Sequence, residues 1–164
     1  MQMILAAKVE KPPYIKTSLE QLILADGDFI DMEWTGVHER SAIYSQEEEH
    51  RIALVWGNVN GSNNDTYSRH TIEELYRSGF RTAFVHYRNA RLASKPEPNN
   101  FMTYTNQDDM HEVIKYVHEK YPKARIYLVG MSMGGNMCVR YLENHKKEKV
   151  KIKNNVRKFL RLKD

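Results

Sequence analysis

The chain has 164 residues, 41% of them apolar and 28% charged, with a single cysteine and a formal net charge of +4. This composition excludes a fibre and a disordered tail, and apolar runs of about six residues exclude a spanning helix, which needs roughly 18–20. Nine of the 25 Lys and Arg residues lie in 146–164 against Glu148 and Asp164, so that stretch carries +7 and the other 145 residues carry −3. A nucleic-acid partner, which would need a basic surface on the folded body, is therefore not expected. No charged start leads into an apolar core and cleavage site, and Cys138 cannot form an internal disulfide, so the expected location is cytoplasmic.

Residues 1–18, broken by Pro12-Pro13, read as a lead-in, residues 19–145 as the folded part and residues 146–164 as a basic tail. The apolar stretches Leu22–Leu24 and Phe29–Trp34 flank Ala25-Asp26-Gly27-Asp28, and an Asp-Gly pair in that position predicts a β-hairpin. Ile52–Trp56 is a continuous apolar run, as expected of a strand buried on both faces. Ile72, Leu75 and Tyr76 form a helical stripe ending at Gly79, and Thr82–Val85 reads as a strand. Met110, Val113, Ile114, Val117 and Tyr121 repeat at helical spacing up to Pro122; Ile126–Val129 is another strand, and Cys138, Tyr141 and Leu142 mark a last helix. Strands alternating with helices predict parallel β-α-β units with crossover helices, an α/β domain.

The sharpest motif is Gly130-Met131-Ser132-Met133-Gly134, followed by Gly135. It succeeds an apolar strand directly and opens an amphipathic helix, the setting of a nucleophile elbow, in which a sharp turn exposes the serine oxygen. The glycines on either side remove Cβ atoms that would collide as helix packs on strand. Ser132 is thus the candidate nucleophile, and the Met133 amide, at the positive end of the helix, a candidate oxyanion donor. A tight turn with Ser132 acting only as a helix cap fits the same residues. A dinucleotide fingerprint does not fit, because Ser132 stands where its second glycine belongs, and no Gly-Lys-Ser/Thr phosphate loop is present. His111 and His118, seven apart, lack zinc spacing and read as solvated histidines; no metal or cofactor is expected. Asn60-Gly61-Ser62 and Asn64-Asp65-Thr66 read as turns, with Asp65 or Thr66 able to cap the next helix.

Several separated motifs carry a family resemblance: Ala25-Asp26-Gly27-Asp28 with Trp34, Gly61-Ser62 with Tyr67-Ser68-Arg69-His70, Gly79-Phe80-Arg81 leading to Tyr87-Arg88, Asp108-Asp109-Met110, Tyr121-Pro122, Val129 to Met137 across the elbow, and Arg140-Tyr141-Leu142. In these motifs the chain resembles the α/β-hydrolase superfamily and, within it, the AB hydrolase 4 family of lipid and short-chain ester hydrolases. The resemblance implies a partial α/β-hydrolase fold: an N-terminal β-hairpin and parallel strands with crossover helices in three α/β/α layers, without the C-terminal strands. It also implies a serine hydrolase of carboxylic esters, acylglycerols or other lipids included, with Ser132 attacking the acyl carbon. Backbone amides of Met133 and Asn58 would then form the oxyanion hole. Here the loop after Trp56 reads Gly57-Asn58-Val59-Asn60-Gly61, and Asn89 replaces the family's glycine after Arg88.

The family's acid and histidine follow the serine in sequence. Beyond Ser132 the only histidine is His145, which 13 residues of helix place roughly 20 Å from the elbow. No triad acid or histidine is therefore expected in this chain. Upstream, His86 at the end of a strand is the best substitute, with no acidic partner evident. The chain alone is expected to be nearly inactive, its counterpart being a complementary C-terminal hydrolase segment; an inactive interaction module on the same sheet is the alternative. Val156, Phe159 and Leu160 give the tail a short apolar stripe that could touch an anionic membrane, though a solvated extension fits better.

Overall fold

The computed structural model describes residues 14–35, 51–59, 62–88 and 107–145. Five strands and three helices follow in the order β1 (Thr17–Ile23), β2 (Phe29–Thr35), β3 (Arg51–Trp56), α1 (Thr66–Arg77), β4 (Arg81–Val85), α2 (Asp108–Lys120), β5 (Arg125–Gly130) and α3 (Met133–Asn144). They form one sheet in the order β1-β2-β4-β3-β5. β1 and β2 pair antiparallel from Thr17–Thr35 to Ile23–Phe29, β2 meets β4 antiparallel, and β3 is parallel to both β4 and β5. β1 thus begins inside the stretch expected as lead-in, since Thr17 pairs with Thr35 and donates to Glu33.

The hairpin turn forms where the Asp-Gly pair predicts. Gly27 adopts φ 84°, its amide donates to the Leu24 carbonyl at 2.9 Å, and the Asp26 carboxylate accepts from the Asp28 amide at 3.0 Å. Such an Asx contact replaces a ladder bond with a local one. On β2 the alternation Ile30, Met32, Trp34 against Asp31, Glu33, Thr35 separates an apolar from a polar face, although all six are buried.

The apolar face joins Leu54, Trp56, Val85, Tyr87 and Ile126 with Met110, Val113, Ile114 and Val117 of α2 and Met137, Cys138 and Tyr141 of α3. The opposite face carries a smaller cluster, Val55, Phe84 and Ile72 of α1, flanked by Val129 and Met131. Helices therefore cover the sheet on both sides, giving the three layers. Glu20 of β1 accepts from the Trp34 indole at 2.7 Å and from Tyr116 at 2.5 Å, and pairs with Lys120. Burial raises its pKa, but these donors outweigh burial and leave it below the usual value.

Beyond β4, Arg88 is buried among three carboxylates. Its Nε donates to Asp109 at 2.7 Å and its Nη1 to Asp26 at 2.7 Å and Asp28 at 3.2 Å; Nη2 pairs with the second Asp109 oxygen. One guanidinium thereby ties the hairpin turn, the end of β4 and the first turn of α2. Removing one member of a buried pair strands the others without solvent, at a cost of about 3–5 kcal/mol. Arg88→Met should lower unfolding free energy in urea by that amount. Arg77→Ala, which breaks exposed pairs to Glu73 and Glu74, should change it by less than about 1 kcal/mol.

Candidate functional site

The turn between β5 and α3 is the most unusual backbone among the described residues. Ser132 has φ 54° and ψ −114° and is the only non-glycine there with positive φ. That ψ lies far from the left-handed helical basin near +47°, so the conformation is one L-residues avoid, at a cost of about 1–3 kcal/mol. The residue is exposed, and its hydroxyl makes no capping bond to the helix it precedes. An N-cap serine would have extended backbone and its side-chain oxygen would accept from the N2 or N3 amide; Ser132 does neither.

What holds the strained turn is the end of the neighbouring strand. The Met131 amide donates to the Trp56 carbonyl at 3.0 Å, and the Gly134 amide reaches the Gly57 carbonyl at 3.1 Å and the Met131 carbonyl at 3.0 Å. This approach leaves no room for side chains. A Cβ on Gly134 would overlap the Trp56 carbonyl and lie 2.7 Å from the Gly57 oxygen; one on Gly130 would overlap the Gly134 backbone. At Gly135 the nearest atom would be 3.1 Å away, tight but not prohibitive.

The same strand end delivers the second candidate segment. Gly57 and Asn58 follow β3 directly, so the hydrogen bond from Gly134 brings Asn58 and Met133, the two expected amide donors, to adjoining turns. The Tyr87 hydroxyl also donates to the Gly57 carbonyl, at 2.7 Å. The Asn58 side chain donates to the Tyr67 hydroxyl, and its Oδ1 is buried without a partner among the described residues. Asp65 stands at the N-cap of α1, yet its carboxylate accepts from the Ser62 amide at 2.9 Å and makes no helix-capping bond.

Three of the described histidines bear on the sequence expectations. His86 is buried and does have an acidic partner: its Nε2 lies 2.8 Å from Glu33 Oε1, and Thr17 and Asn63 donate to the other Glu33 oxygen. The His86 Nε2 faces β2, whereas Ser132 follows β5, two strands away on the other side of β4, about 10 Å at ordinary strand spacing. His111, expected to be solvated, is half-buried because its Nδ1 meets the Tyr141 hydroxyl at 3.0 Å and its ring stacks on His145 at 5.1 Å. His145 caps the far end of α3 and rests on Tyr141, twelve helical residues from the turn at Ser132.

The sequence alone assigns no role to Glu33 or to Tyr87, which enters only through the Tyr87-Arg88 motif. Alternation in Phe29–Trp34 marks Glu33 as off the main core, but only the β2–β4 pairing, set by the sheet order, brings it to His86. Tyr87 lies one residue past His86 and so takes the opposite face, under Gly57.

If the turn stores backbone strain, Ser132→Gly should be about 1 kcal/mol more stable in urea denaturation than Ser132→Ala, which loses the same hydroxyl but keeps a Cβ. Overpacking costs typically about 1–3 kcal/mol, so Gly134→Ala and Gly130→Ala should each lose at least that much, with Gly135→Ala losing least.

A family model described as the alpha/beta hydrolase fold matches residues 52–152, from β3 through the elbow and α3. Embryogenesis-associated protein EMB8 of Picea glauca is 24% identical over 144 residues, covering 87% of this chain and 31% of that protein. Phospholipase ABHD3 of Homo sapiens is 26% identical over 141 residues, covering 86% and 34%. The chain thus spans about a third of the length of these curated relatives. Among solved structures, the Pyrococcus furiosus esterase Pf2001 superposes with a TM-score of 0.59 at 18% identity, over 80% of this chain and 49% of that one. Strand order, elbow and family match agree: the chain belongs to the alpha/beta hydrolase fold family.

Proposed function

We propose that this chain carries the nucleophile-bearing part of a carboxylic ester hydrolase, with Ser132 as the nucleophile. The observation that supports the reading most is the exposed serine held at φ 54° between β5 and α3 without a capping bond. In the reaction Oγ attacks the acyl carbon, and the negative charge that develops on the carbonyl oxygen is met by the amides of Met133 and Asn58. Fixed backbone donors serve here because they need no reorganisation as charge appears. Relatives named as phospholipase and esterase favour ester substrates, lipid esters among them.

The hydroxyl also needs a base to take its proton. Residues 133–164 contain one histidine, His145, at the wrong end of α3, and the His86 Nε2 is engaged by Glu33. The acid and histidine are therefore assigned to a complementary hydrolase segment outside residues 1–164. Without a base, acyl transfer falls by several orders of magnitude, on the order of 10⁶ where a catalytic histidine is removed from a serine protease.

A fluorophosphonate probe tests this directly. The purified chain should label slowly at Ser132 and Ser132→Ala should not label, as read by intact mass and peptide mapping. A complementary segment from a relative should accelerate labelling at least 100-fold. Absence of Ser132-dependent labelling both with and without that segment would sink the proposal.

A further inference from the structure

We infer that Tyr87 is a positioning residue that fixes the oxyanion-binding amide of Asn58 by clamping the carbonyl of the same peptide. This inference rests on the reading of Ser132 as the nucleophile. Its geometric part can be tested separately.

A peptide unit is planar and trans, so its C=O and the following N–H point in opposite directions. Turning one therefore turns the other. The Gly57 carbonyl and the Asn58 amide belong to one such unit. The carbonyl accepts two hydrogen bonds, from the Gly134 amide at 3.1 Å and from the Tyr87 hydroxyl at 2.7 Å. Both donors come from buried residues, Gly134 at the start of α3 and Tyr87, in the main core just beyond β4. With the oxygen held toward the core by both, the Asn58 N–H must point away from it.

Either donor alone would leave this unit free to rotate about its two flanking bonds, and Gly57 places little steric restriction on one of them. The Gly134 bond belongs to the elbow and moves with it. The Tyr87 bond comes from the segment just beyond β4, a separate strand, so the two anchors are independent. A peptide held by donors on two different elements is preorganised in the sense that matters for an oxyanion hole.

The phenol keeps its proton, so the donor of the clamp persists. Burial raises the Tyr87 phenol above its ordinary value, with Cys138 adding to the effect, so the hydroxyl remains a donor across the accessible pH range. Burial likewise pushes the neighbouring Cys138 thiol up to about 12, so it stays neutral and apolar beside the ring. The hydroxyl of Tyr87 is committed to the Gly57 carbonyl. Its effect reaches the reaction through the Gly57–Asn58 peptide.

The test combines amide dynamics with labelling of the full 164-residue chain. In the wild type, the Asn58 N–H should show a residual dipolar coupling that fits the orientation opposite to the Gly57 carbonyl, with an order parameter near 0.85, the value of about a rigid backbone. Tyr87→Phe keeps the ring and removes the donor. Its Asn58 order parameter should fall below about 0.6 while α2 and β4 amides keep theirs, and fluorophosphonate labelling at Ser132 should slow at least 10-fold. Incorporating 3-fluorotyrosine at position 87, which restores a hydroxyl donor, should return both readouts to wild type. A mobile or differently oriented Asn58 amide in the wild type overturns the inference, and this holds even if Tyr87→Phe does not fold. Unchanged Asn58 dynamics and labelling in Tyr87→Phe overturn it as well. If the Asn58 amide responds as stated but wild-type Ser132 never labels, the clamp stands as geometry, and it is the assignment of Ser132 that fails.

Discussion

Two carbonyls at the end of β3 organise everything around the candidate site. Trp56 and Gly57 present their oxygens to the amides of Met131 and Gly134, and this pairing continues the parallel ladder between β3 and β5 past its last regular residue. Because the ladder runs on into the turn, the chain cannot relax Ser132 into a common conformation without breaking hydrogen bonds that are buried. Buried donors and acceptors left unmade cost about as much as the strain they would relieve. The requirement for glycine at 130 and 134 is the steric side of the same approach: two backbones lie where side chains would otherwise separate them.

The layers divide the work of supporting that approach. The thick layer, α2 and α3 on the face that bears Trp56, Val85 and Tyr87, supplies most of the buried apolar area and the helix that starts at the elbow. The opposite face is built differently. Its β2 positions are Asp31, Glu33 and Thr35, satisfied by Gln21, Thr17, Asn63, His86 and Thr82 rather than by apolar contact. A polar network of that kind fixes which partner each strand may take, because a shifted register would leave carboxylates buried without donors. Arg88 extends the same logic to the loops, joining three segments through charge rather than through packing.

Much of this was legible from residues alone, and the reasons for success and failure differ. The hairpin at Asp26-Gly27, the buried runs Ile52–Trp56 and Ile126–Val129 and the helical stripe from Met110 to Tyr121 are local patterns, decided by periodicity and turn chemistry within a dozen residues. The strained turn at Ser132 was legible for the same reason: strand, glycines and helix are contiguous. Contacts between distant segments were not. The partner of His86 sits 53 residues away on a strand whose neighbour depends on sheet order, and the Tyr87–Gly57 bond spans 30 residues. His111 reads as a surface residue on its own helix, and only the packing of α3 against α2 covers it.

The unequal layers have one more implication. Among the described residues α1 buries just Ser68 and Ile72, so it is attached far more lightly than α2, and segments with few buried contacts are the first to open in native-state fluctuations. The crossover from β3 to α1 therefore starts on firm ground and ends on soft. Its first peptide, Gly57–Asn58, is anchored from the firm side and Asn63 is tied to Glu33 of β2, while residues from Thr66 onward belong to the soft helix. Opening of α1 would then leave the Gly57–Asn58 peptide where it is, because both of its anchors, the Gly134 amide and the Tyr87 hydroxyl, lie outside that helix.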